Sequence, residues 1–193
     1  VDNFSIAEAD HNRSVNNKSL NVSGTITRSP VADGAELVGY SGFSTANYLE
    51  GTDLSYTVAL YALGWQQIDG RWEFKHGVVS AAPIDGLSVT DYTVRIAGTK
   101  PKALIRMTAT TPTADQIAQI YEDERRLFQP GAACTLFGTS DVVSALAHDP
   151  KTNLLHVGTS QGRSVFDGFL RVAKTETPVG TAISAVNGLI AEQ

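Results

Sequence analysis

Hydrophobic and polar residues alternate at period two along residues 20–27, where Leu20, Val22, Gly24 and Ile26 interleave with Asn21, Ser23, Thr25 and Thr27. That period sorts the two sets onto opposite faces of a strand. Residues 56–65 (YTVALYALGW) and 92–97 (YTVRIA) are rich in aromatic and β-branched side chains, the composition of a half-buried pleated surface. Between them, Asp69-Gly70 separates Gln66-Gln67-Ile68 from Arg71-Trp72-Glu73-Phe74-Lys75. Both central residues tolerate positive φ, so the pattern predicts a hairpin closed by a type I′ turn. Pro83 and Asp85-Gly86 mark a further turn. Residues 18–108 therefore read as an antiparallel β sandwich.

The period then changes. Pro112 keeps the preceding residue extended, Thr113 is placed to cap a helix, and Gln116 is placed to answer it as the reciprocal member of a capping box. Ile117, Ile120, Tyr121, Glu124 and Phe128 follow the i, i+3, i+4 spacing, so Ile117, Ile120, Tyr121 and Phe128 form one apolar stripe on a helix over 113–128. The run of charges from Glu122 to Arg126 reads as its solvated face, with the basic pair at the carbonyl end of the dipole. Pro130-Gly131 ends it.

Beyond the helix, residues 133–138, 142–147, 154–158 and 163–166 read as four short strands separated by turn residues, a β meander at the pitch of one propeller blade. A single blade cannot bury both faces, so it must pack on the first domain, on another chain or on a missing neighbour. Asn187-Gly188, flanked by 182–186 and 189–192, is a second I′ hairpin signal. The predicted organisation is a sandwich with its closing helix at 1–128 and a meander and hairpin module at 129–193.

Charge and composition narrow the function. The chain has 193 residues, long enough to bury a core without staples, and a formal charge of −5 with 18 % charged residues. A nucleic-acid binder would need a concentrated Lys/Arg face, so that class is disfavoured. A hydrophobic fraction of 42 % excludes a disordered chain, and no run approaches the ~20 apolar residues of a membrane helix. The single cysteine, Cys134, excludes an internal disulfide and a Cys-cluster zinc site and reads as a small buried apolar residue. Val1 follows neither an initiator Met nor a leader, which suggests the tail end of something longer. Asn-x-Ser triplets begin at Asn3, Asn12, Asn17 and Asn21, in a stretch so rich in Asn and Ser that chance accounts for them.

No catalytic constellation emerges. His11, His76, His148 and His156 lack the helical i, i+4 pairing or Cys partners of a zinc site, and structural roles are expected for them. There is no Gly-x-Ser-x-Gly elbow and no phosphate-cradling glycine loop. We therefore expect no enzyme, no cofactor and no resident metal.

Two segments carry a family resemblance. NRSVNNKSLNVSGTITRSPVADGAELVGYSGFSTANYLEG at 12–51 and ALIRMTATTPTADQIAQIYEDERRLF at 103–128 resemble the laminin-G-like, concanavalin-A-like jelly rolls of phage virion and tail-fibre proteins. The matching positions are Gly42, Phe43, Ser44, Asn47, Tyr48 and Leu49, then Pro112, Thr113, Gln116, Ile117, Ile120 and Tyr121. The stretch GTSDVVSALAHDPKTNLLHVGTSQGRSVFDGFLRV resembles the propeller-type repeat that ends such proteins. The resemblance implies a mainly β protein: a jelly-roll sandwich, one short helix and a C-terminal β meander. It implies a structural or adhesive role on the phage particle, with other virion subunits as partners and host-surface polysaccharide as ligand; the unpaired blade-like strands favour a homo-oligomer or a tight contact with another virion subunit.

Some relatives are glycan hydrolases with two acidic residues on one sheet, but Glu73 is the one acidic residue in a central strand pattern here. Others bind calcium at the sandwich rim; Asp53, Asp85 and Asp91 occupy loop positions, and turn formation is the expected role for them. Glycan recognition needs aromatic platforms for the C–H face of a sugar, and Trp72, Trp65, Tyr40 and Tyr48 are the candidates, Trp72 first. Ile117, Ile120, Tyr121 and Phe128 are the candidate partner interface.

Overall fold

The computed structural model describes residues 20–51, 61–90, 92–140 and 142–193. The protein is mainly β, with antiparallel sheets and, among the described residues, one α-helix. Contacts divide the chain into two compact units, one of residues 1–31 and 38–117, the other of 32–37 and 118–193. The division thus falls inside the helix, not after residue 128, and Ala32–Leu37 goes with the C-terminal unit.

Among its described residues the first unit holds nine strands: β1 (Asn21–Ser23), β2 (Thr27–Pro30), β3 (Val38–Ser41), β4 (Tyr48–Gly51), β5 (Tyr61–Ile68), β6 (Arg71–Val78), β7 (Leu87–Thr90), β8 (Thr93–Ile96) and β9 (Lys102–Thr108). They form a four-stranded sheet, order β1-β4-β8-β7, and a five-stranded sheet, order β2-β3-β9-β5-β6. One hydrophobic cluster draws on both sheets. Leu49, Leu87, Val94 and Ile96 come from the smaller sheet and Ala62 from the larger, with Phe43, Val79 and Ile84 from the connections and Tyr40, Ile105 and Met107 packed against them. Two sheets sharing one apolar layer make a sandwich.

The Asp69-Gly70 hairpin forms as its residues predict: Ile68 pairs with Arg71 and both turn residues have positive φ, 48° and 79°. Residues 20–27 do not make one strand. At Gly24 (φ 69°) the chain leaves β1, and Asn47 holds the bend by accepting from the Thr25 N–H (3.1 Å) and donating to Gly42 O (3.0 Å). β1 and β2 consequently belong to different sheets. The proposed strand at 56–65 is described from Tyr61 onward; its earlier residues lie outside the described ones.

The larger sheet ends in a buried polar knot. Lys102, 1 % exposed, donates through Nζ to Ala97 O and Lys100 O, both at 2.8 Å, and lies 3.8 Å from Asp85 and 4.7 Å from the Phe43 ring centre. Burial lowers its pKa to about 8 against the opposing pull of Asp85. Burial also pushes the Asp85 carboxyl up, but the N–H groups of Thr99 (2.6 Å) and Lys100 (3.1 Å), with the lysine charges, outweigh it and hold Asp85 below its ordinary value. Asp85 is thus committed to tying loops together. Asp53 and Asp91, the other rim candidates for calcium, lie outside the described residues.

The helix α1 (Ala114–Arg125) begins as its sequence predicts, with Thr113 N–H donating to Gln116 Oε1 (2.9 Å) and Gln116 N–H to Thr113 Oγ1 (3.2 Å). Its charged run is not uniformly solvated: Glu124 is 1 % exposed, and Arg126 pairs with Asp167. The run straddles the helix, so position 124 falls on the packed side, one turn before buried Leu127.

In the second unit β10 (Ala145–Asp149), β11 (Leu154–Thr159), β12 (Gly162–Asp167) and β13 (Leu170–Thr175) form an antiparallel meander, and β14 (Ile183–Val186) and β15 (Leu189–Glu192) form a hairpin. Four strands were expected, but not these four. Residues 133–138 are not a strand, because their N–H groups are taken by side chains. Cys134 and Thr135 donate to Glu36 Oε2 (2.9 and 3.0 Å), and Phe137 donates to Ser164 Oγ (2.8 Å). The fourth strand is β13, joined to β12 by Gly168-Phe169. The second I′ turn forms at Asn187-Gly188, with φ 54° and 80°. Asp149, fully buried, accepts from the N–H groups of Lys151 (3.0 Å), Asn187 (3.2 Å) and Gly188 (2.5 Å), so one carboxylate organises both turns. Burial opposes its charge, yet those bonds and that of the Thr152 hydroxyl keep its pKa below the ordinary value.

Candidate functional site

Alternation along three adjacent strands of the smaller sheet sorts core from surface. Leu49, Leu87, Val94 and Ile96 enter the sandwich, so Tyr48, Glu50, Ser88, Thr90, Thr93 and Arg95 stand on the opposite face. The register aligns them in rows. Glu50 and Ser88 flank Arg95 from the two neighbouring strands, and Thr90 faces Thr93. Together Glu50, Ser88, Thr90, Thr93 and Arg95 line an open groove of about 240 Å³. That is below the roughly 300–1,000 Å³ of a drug-sized ligand's pocket, and suits a single small ring.

One ion pair organises the groove. Arg95 donates through Nε (3.0 Å) and Nη2 (2.9 Å) to the same Glu50 oxygen, Oε2, and its guanidinium lies 3.9 Å from the Tyr48 ring centre. Stacking and pairing hold the guanidinium flat, with both charges still open to solvent. The pair leaves Glu50 Oε1 as an acceptor and Arg95 Nη1 as a donor without a hydrogen-bond partner among the described residues. The hydroxyls of Ser88, Thr90 and Thr93 are likewise uncommitted among the described residues. The surface therefore offers one acceptor, one charged donor and three groups able to do either.

Of the four aromatic residues expected to form platforms, only Tyr48 lies beside this groove; its ring backs the Arg95 guanidinium and does not itself line the groove. Trp65 is 4 % exposed, with the Phe74 ring tilted against it at 5.3 Å, and cannot serve as an exposed platform. The reason is its strand: β5 lies inside the larger sheet, between β9 and β6. Trp72 is half-buried. Its Nε1–H donates to Val31 O (2.9 Å), and its ring fills the space a side chain at position 39 would need, which glycine leaves open. Tyr40 is half-buried against the sandwich core. The helix stripe is graded: Ile117, Ile120 and Phe128 are half-buried and Tyr121 is exposed, while the fully buried helical positions are Glu124 and Leu127.

The five lining residues are not singled out by the sequence reading, although a signal for them exists. In Leu87-Ser88-Val89-Thr90 and Thr93-Val94-Arg95-Ile96 the polar partners of the alternation are all hydrogen-bonding residues.

The histidines have structural surroundings. His76 Nδ1 is 2.7 Å from the Tyr61 hydroxyl, and His148 Nε2 is 3.2 Å from Asn153 Oδ1. His156, 4 % exposed within the meander, has its pKa lowered first by burial and then by the Arg163 charge, against Asp149; His11 lies outside the described residues. Among the described residues no group of three His, Cys, Asp or Glu side chains is arranged to hold a metal, and no helix is long and apolar enough to cross a membrane. Comparison with protein-family models, curated proteins and solved structures returned no match.

Proposed function

We propose that this chain is a lectin-like display module of a phage particle, a laminin-G-like jelly roll that holds a weak polysaccharide contact outward from the virion. The observation that carries this reading is the solvent-open groove of the smaller sheet, where hydroxyl groups and one charge pair lie beside a stacked tyrosine. Sugars are bound by that combination of polar groups and an aromatic neighbour. A groove sized for one ring binds weakly, and many copies on one particle convert weak binding into firm attachment. Among the described residues a single carboxylate, Glu50, lines the groove, which favours binding over the two-carboxylate chemistry of glycoside hydrolysis.

The test is binding of the full chain to immobilised host-surface polysaccharides, with Tyr48→Ala and Arg95→Ala compared with Trp72→Phe. Loss in the first two with retention in the third supports the groove; binding that survives both substitutions rejects it.

A second reading, a pure assembly module that contacts other virion subunits or copies of itself, is favoured by exposed apolar residues. Leu189 is 77 % exposed, Val142 70 % and Phe169 55 %, and Tyr121 of the helix stripe is exposed too. It expects a homo-oligomer by sedimentation, and a monodisperse monomer at high concentration counts against it.

A further inference from the structure

We infer that the groove selects neutral sugars presenting a vicinal diol and discriminates against carboxylated ones. The inference rests on the glycan-binding reading and names the class of ligand. Among the described residues, Arg95 is the one cation lining the groove, and its Nε and Nη2 are already engaged by Glu50 Oε2. The formal charges of the described lining residues, Glu50 and Arg95, therefore cancel. A uronic-acid carboxylate would have to displace Glu50 from Arg95, or approach a carboxylate with no further cation among the lining residues to offset the repulsion.

A neutral diol meets no such conflict. One hydroxyl donates to Glu50 Oε1 while its neighbour accepts from Arg95 Nη1, and the ion pair is left intact. The hydroxyls of Ser88, Thr90 and Thr93 then serve the remaining ring oxygens as donors or acceptors. Tyr48 acts as a positioning residue: its ring carries the guanidinium at 3.9 Å and keeps the donor planar beside Glu50.

Matched polymers supply the experiment: galactan against polygalacturonate, and mannan against alginate, each immobilised and probed with the full-length chain at about 0.15 M salt, where surface charges are screened beyond about 8 Å. We expect the neutral member of each pair to bind at least about tenfold more tightly, the scale of one charge-assisted hydrogen bond. Glu50→Gln retains the side-chain shape but leaves Arg95 uncompensated, so it should narrow or reverse the preference, with circular dichroism showing that the variant is folded. Thr93→Val keeps the β-branched shape and should weaken neutral binding by a few fold. Tighter binding of the carboxylated polymers by the wild-type chain, or a preference unmoved by Glu50→Gln, overturns the neutral-diol selectivity while leaving glycan binding in place. Failure to bind either class overturns the glycan reading and this inference with it.

Discussion

The two units build β structure in opposite ways. In the C-terminal unit every paired strand is the next one along the chain, β10 to β13 in order and then β14 with β15. In the N-terminal unit the sheets are stitched from distant segments: β1 pairs with β4 and β4 with β8, while β9 lies between β3 and β5. Local pairing needs only turns, whereas non-local pairing needs a shared apolar layer to specify register and must bear the entropy of closing long loops. The first unit thus depends on its shared core to choose strand partners, whereas the second, which also buries Val157, Val165, Phe166 and Val179, has its partners chosen by its turns.

Substitutions can break that contrast. The largest effect should come from Ile84→Ala, which empties a fully buried place in the sandwich cluster. We expect a loss of about 2–5 kcal/mol in denaturant unfolding, and a loss under about 1 kcal/mol would show that the layer between the sheets is not what holds them. In the second unit the comparable blow falls on a turn. Asp149→Ala removes the acceptor shared by Lys151, Asn187 and Gly188, so amide exchange at those residues should accelerate by about tenfold or more. Unchanged protection there would mean that the turns hold without it. Thr113→Ala removes half of the capping box and should cost about 1 kcal/mol, with Thr113→Ser recovering most of it.

The smallest effect is a pH dependence from His156. Its pKa is lowered in the folded state, so the unfolded chain binds more protons once the pH falls below about 6.5. Stability should decline through that window and level off below the folded-state value, by a slope of less than one proton. His156→Gln should abolish the slope, and a slope that persists in the variant assigns it to other groups.

The same contrast explains which features were readable in advance. Asp69-Gly70, Asn187-Gly188 and the Thr113/Gln116 box formed as expected because each is satisfied within a few residues. The segment at 133–138 looked like a strand because its side chains fit one, but Glu36, about a hundred positions away, takes two of its N–H groups. Trp72 looked accessible after its turn, yet its indole N–H is spent on Val31 O. Of the candidate site, Tyr48 was recognised for its ring and the five lining residues were not, since nothing local links Glu50 to Arg95.

The chain by itself determined the β-rich character, the two tight hairpins, the helix start and the balance of charge, since periodicity, turn chemistry and composition act over short distances. Tertiary structure alone decided which strands became neighbours, which aromatic residues were buried, and that Glu50, Ser88, Thr90, Thr93 and Arg95 share one open face. The physical reason is that such a face is defined by what lies behind it. Leu49, Leu87, Val94 and Ile96 must first be drawn into a common layer before the residues alternating with them are turned outward together.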